Sequence, residues 1–190
     1  MSDDDEGAEA ATIDQRLAET RWLPSVVTGG AAFVVGYVVT AILIAGLGEP
    51  PSGDLWAIAV LIGFAFYAAH LVPLDVGGVK IDFFTGVTDP TVPLIVYYAV
   101  PMVILFAAGA FVAERYSLRT ADPVETVGQV VGLAVGYLAV ALLGSVAFVT
   151  TTVTGETARL ALVDVLLFTI AFPMVFATLG AGVVALREAL

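Results

Sequence analysis

The sequence predicts an all-α fold: a polytopic membrane helix bundle of five hydrophobic helices behind a disordered acidic N-terminal tail. Three observations carry this reading. Of the 190 residues, 59% are hydrophobic and only 13% charged, where a soluble domain has about 25% charged residues. The apolar residues run in blocks of about 20, the length that crosses roughly 30 Å of hydrocarbon. Turn-forming clusters separate the blocks, and no connection has room for a second soluble domain. The chain therefore divides into a tail, residues 1–22, and a membrane bundle, residues 23–190.

The tail comes first. It is dense in acids from Asp3 to Glu19 and too poor in apolar residues to pack a core, so it is expected to be disordered. Acids outnumber bases 18 to 7 over the whole chain, and Lys80 is the sole lysine. Acid excess with scarce lysine in an Ala/Val/Gly-rich body is the composition of a halophile's protein, where surface acids hold water in salt. It leaves no basic footprint for nucleic acid. No signal peptide is expected, since the first apolar block follows acids and is too long for a cleavable core.

The helices follow in order. The first is expected over about 25–47, with Pro24 suited to a first turn. The second, about 55–74, opens on Trp56, an interfacial anchor. The third covers about 93–112, the fourth 127–149 and the fifth 160–186. Gly48 to Gly53, Arg115 to Thr126 and Thr154-Gly155-Glu156 break the helices between them. In the longest gap, 75–92, Val79, Ile81 and Phe83 alternate with Lys80, Asp82 and Phe84, a period of two. Phe148 to Thr154 is also β-branched. These two extended runs fall on one face of the membrane, either paired with each other or as separate loops.

Small residues mark packing faces, because helices in lipid associate where backbones can approach. Gly128, Gly132 and Gly136 form one ridge. Thr28, Ala32 and Gly36, continued by Thr40, form another. They serve packing within the chain or against a second copy or another membrane protein. Pro101 and Pro173 lie inside helices and predict kinks. Val35 to Leu43 echoes Val135 to Leu143. With five spans those helices would run in opposite directions, as in inverted-repeat transporters.

Two topologies compete. Five spans place four basic residues against three on the two faces, which gives no orientation. If the second helix enters and leaves on one face, Arg16, Arg21, Arg115, Arg119 and Arg187 oppose only Lys80 and Arg159, and the N-terminus is cytoplasmic.

Ionisable groups within hydrocarbon are costly and so are candidate functional groups. His70, Asp75, Asp164 and Tyr67 form the candidate polar or proton site. His70 is expected to face the bundle interior and to bond Asp164 or Asp75, a carboxylate that would favour the imidazolium against burial. The plainer alternative is an interfacial histidine with two solvated carboxylates. Gln129 and Glu114 read as helix-end residues. The absence of cysteine excludes disulfides, thiolate catalysis and Cys-ligated metals. One histidine cannot build a multi-His metal site, and neither a phosphate-binding loop nor a nucleophile elbow is present. No enzyme activity and no cofactor are expected.

The runs Gly36-Tyr37-Val38-Val39-Thr40, Phe66 to Val72, Tyr98 to Pro101, Gly136-Tyr137-Leu138 and Phe172 to Phe176 resemble a haloarchaeal family of small multi-spanning membrane proteins of uncharacterised function. The resemblance covers about residues 24–187. It implies a membrane bundle, a halophilic host and a place in the cell membrane. Some members carry a generic transporter label. Two functions stand open: a permease-like or channel-like protein, or a structural or accessory subunit of a membrane complex. What separates them is whether His70, Tyr67 and Asp164 line a solvent-reachable cavity.

Overall fold

The computed structural model describes residues 22–47, 54–86, 92–116 and 123–189. The acidic tail and the Gly48–Gly53 connection lie outside them. Among the described residues there are five α-helices: α1 (Trp22–Leu47), α2 (Leu55–Ala68), α3 (Leu94–Tyr116), α4 (Pro123–Ala147) and α5 (Leu162–Ala189). Four of them, α1, α3, α4 and α5, are long and apolar enough to cross a membrane. The chain is a polytopic membrane helix bundle.

The departures from expectation have local causes. Helix α2 stops at Ala68 and not near 74. Asp54 caps its start, accepting from the Ala57 N–H at 2.7 Å. Its end closes with Val72 N–H on the Tyr67 carbonyl and Leu71 N–H on that of Ala68. This double closure places Leu71 at φ 65°, a left-handed position normally given to glycine. Pro73 follows and drives Val72 out of helical geometry. Helices α4 and α5 each give up residues next to the 147–162 connection because those residues join a sheet.

The sheet has four strands: β1 (Leu74–Val76), β2 (Val79–Ile81), β3 (Val149–Thr151) and β4 (Thr157–Leu160), in the order β2-β1-β4-β3. All neighbours are antiparallel. Gly77 and Gly78, both at positive φ, make the two-residue turn of the first hairpin, a turn that needs φ > 0 at both positions. The two extended runs read from sequence do share one sheet, but as its outer strands. They do not pair with each other, because β1 and β4 lie between them. Phe83 and Phe84 are not extended: Phe83–Gly86 is a 3-10 turn. One sheet face is buried through Leu74, Ala158 and Leu160. The other aligns Lys80, Asp75 and Arg159 across three strands.

The sheet settles the course of α2. The Pro73 carbonyl accepts from Ala161 N–H, and Leu74 pairs with Leu160 immediately before α5. Helix α2 therefore dips into the bundle from the sheet side and returns to it. Beside it, the Tyr37 hydroxyl of α1 donates to the Ala59 carbonyl at 3.0 Å, and the ring of Phe66 fills the space over Gly36.

With α2 re-entrant, α1 and α4 run in the same direction, which corrects the inverted-repeat expectation. Helices α1 and α4 touch backbone to backbone: a methyl on Gly29 would collide with the Leu133 carbonyl, and one on Gly136 with that of Val26. Helices α3 and α5 repeat the pattern, with Gly109 against Ala177 and Gly180 against Phe106. The underlying repeat is visible in sequence. Ala99-Val100-Pro101-Met102-Val103, followed by Val112-Ala113-Glu114-Arg115, returns as Ala171-Phe172-Pro173-Met174-Val175, followed by Val184-Ala185-Leu186-Arg187. Both prolines are fully buried, and both helices continue through them. Two helix–hairpin–helix segments thus pack against each other through α1 with α4 and α3 with α5, and α2 is an insertion into the first.

Of the expected ridges, Ala32, Gly36 and Thr40 are buried and Thr28 is half-buried, its hydroxyl bonded back to the Pro24 carbonyl. Gly132 faces Trp22 and Ser25 of α1. Gly128 is half-buried.

Candidate polar site at the tip of the inserted helix

The core of the bundle is aromatic. Phe33 on α1 meets Phe66, Tyr67 and Tyr137 edge-on, with centroids 5.0, 5.8 and 5.2 Å away. Such contacts add to the burial of the rings themselves. His70 closes this cluster from the tip of α2. It is fully buried, with Phe66 at 4.7 Å and Phe172 of α5 at 5.1 Å between centroids.

Both imidazole nitrogens are used. Nδ1 lies 2.7 Å from the Phe66 carbonyl, which can only accept, so Nδ1 carries the proton. Nε2 lies 2.5 Å from the Tyr137 hydroxyl, which can then donate to it. A neutral Nδ1–H ring is satisfied completely by this pair of partners. Tyr67 is also fully buried and donates its hydroxyl to the Ala141 carbonyl. Tyr137 and Ala141 sit one turn apart on α4, so the tip of α2 is pinned to one stretch of that helix. Gly144 makes room for this, since a methyl there would press on the Tyr67 hydroxyl.

The expected carboxylate partners are elsewhere. His70 does face the interior, but neither Asp75 nor Asp164 bonds it. Asp75 pairs with Arg159 at 3.5 Å and Asp164 with Lys80 at 2.5 Å, both on the sheet side. The reason is the reversal after Leu71. It carries Asp75 out of the bundle on β1 while His70 stays at the tip. Tyr67 belongs with His70, and the two aspartates belong with the sheet. Among the described residues no three His, Asp or Glu side chains come together as a metal site.

Sequence reasoning missed Tyr137 as the partner. The available signal was a lone tyrosine in the middle of a Gly/Ala/Val helix, whose hydroxyl needs a bond in hydrocarbon. Gln129 was also misjudged. It is buried, and its Oε1 accepts from the Ser25 hydroxyl where α1 crosses α4. Its Nε2 and the Thr40 hydroxyl have no hydrogen-bond partner among the described residues.

No curated protein and no solved structure is detectably similar to this chain. A family model does match, over residues 5–188, and it takes in every helix and strand described above but for the last residue of α5. The chain belongs to that family, DUF7978, a family of unknown function.

Proposed function

We propose that this protein is a multi-pass scaffold of the cell membrane, a structural or accessory subunit. The observation that supports it best is the closed centre of the bundle. Tyr67, His70 and Tyr137 are fully buried among rings, and their polar atoms are spent on one another or on backbone carbonyls. Asp164 stands apart in its pair with Lys80. The groove between α1 and α4 and the small cavity beside Gln129 are lined by other side chains. Orientation follows from charge. Arg16 and Arg21 precede α1, Arg115 and Arg119 stand at the α3–α4 connection, and Arg187 is in the last turn of α5, whereas Lys80 and Arg159 stand on the sheet. Five bases against two favour a cytoplasmic N-terminus and an outward-facing sheet. The resemblance to haloarchaeal proteins fits the acidic composition.

A second reading, a permease-like or channel-like protein, is favoured by one feature. A re-entrant helix carries the chain's only histidine to mid-bundle, where polar groups are expensive. One comparison separates the readings. The full chain, extracted in high salt with a lipid-preserving detergent, should bring down a stoichiometric membrane partner and leave proteoliposomes tight to protons and small ions. Ion or proton flux through the purified chain, abolished by His70→Asn, would overturn the scaffold reading.

A further inference from the structure

The parallel helices α1 and α4 meet at Gly29 and Gly136 and separate toward the sheet. Between them lies a groove of about 330 Å³, walled by Phe33, Val34, Val140, Leu143 and Ala147. Its upper end is roofed by Phe148 stacked on Tyr37, with centroids 5.7 Å apart and planes within 8°. The rim is open. Val34 is 51% and Leu143 73% exposed, and both sit within helices that span the membrane, so the mouth faces sideways into the bilayer.

The lining offers nothing polar. The Tyr37 hydroxyl, the nearest candidate, is turned away to the Ala59 carbonyl, and that of Tyr67 is committed to Ala141 behind the wall. A ligand here would gain no hydrogen bond, and a water would find no partner. The groove is also continuous with the lipid-facing surface of α1 and α4. A chain entering it leaves one hydrocarbon environment for another and gains packing against three aromatic rings, which is the term that drives association in lipid.

We infer that this groove is a binding site for one hydrocarbon chain of a membrane lipid, drawn from the leaflet on the sheet side. The site is independent of the scaffold reading and would serve a permease equally well.

The test uses the full chain in liposomes that contain a trace of lipid bearing a diazirine near the end of its chain. After extraction in mild detergent, which strips loosely held lipid, irradiation and peptide mapping locate the retained chain. Adducts are expected on Val34, Leu143 and Ala147. They should be lost in Ala147→Phe, which fills the groove, and kept in Val183→Phe, on an exposed face of α5. Should Ala147→Phe fail to fold, Val140→Phe fills the same space. Adducts spread alike over the exposed faces of all four long helices, or unchanged by filling, would overturn the proposal. So would a second polypeptide cross-linked at the groove in place of lipid.

Discussion

The middle of the bundle and the sheet above it treat their polar groups in opposite ways. Around His70 every bond is between uncharged partners, the groups are fully buried, and the donors and acceptors come from the chain itself. On the sheet, Lys80 and Arg159 are more than half exposed and face carboxylates across strands. The contrast follows from solvent. In hydrocarbon an unmatched polar atom costs several kcal/mol, which favours pairing within the protein, and around His70 that pairing is complete. At a wet surface an ion pair gains little over hydration. Carboxylates expected at the depth of His70 are carried to the wet side, and the imidazole is left with a tyrosine.

Variants can break or sharpen this contrast. The largest effect is expected from Gly136→Leu. The side chain has no space against the Val26 carbonyl, and the loss should be about 3 kcal/mol or more because backbone cannot yield. Denaturation in detergent would show it, and unchanged stability would mean that α1 and α4 do not touch there. Next is Tyr137→Phe, which leaves Nε2 of His70 buried without its donor. A loss of about 1–3 kcal/mol is expected, together with a change in the ring's ¹⁵N spectrum from that of an Nδ1–H tautomer bonded at Nε2. Leu71→Gly should act with the opposite sign. Leu71 is half exposed, so removing it gives up little packing while relieving the left-handed strain, for a gain of about 0.5–1 kcal/mol. Asp164→Asn should be the smallest, about 0.2–1 kcal/mol at low salt and less as salt rises. If Asp164→Asn costs as much as Tyr137→Phe, the two regions are not distinct.

Much of this architecture was legible before the structure. Long apolar blocks and the turn clusters between them locate five helices, since spanning length and helix-breaking residues are local properties. Trp56, Pro24 and the glycine ridges are local in the same sense. The depth of α2 is not. Fourteen helical residues followed by Leu71-Val72-Pro73-Leu74 read as one apolar stretch, and only Pro73 warns that the helix ends. What returns the chain to its starting face is the pairing of β1 with β4, more than eighty residues away. The same long-range pairing turns two extended runs into the edges of one sheet. The candidate site was half legible for the same reason. His70 lies in the turn that closes the helix carrying Tyr67, so their association is local. Tyr137 and Phe172 reach His70 only through the packing of three helices. The repeat of α3 in α5 is present in the residues themselves, and it is fuller than the echo of α1 in α4.

The account rests on α2 entering and leaving on one face, and cysteine accessibility tests this directly, because the natural chain has no cysteine to interfere. Leu55→Cys stands at the start of α2 and Val79→Cys beyond its end, and both residues are exposed. With the protein oriented in sealed cells, a membrane-impermeant maleimide should label both variants from outside, while a cysteine at Arg187 reacts only after the membrane is opened. Labelling of Leu55→Cys and Val79→Cys from opposite sides would mean that α2 crosses the membrane, and the four-span bundle with an inserted helix would be wrong.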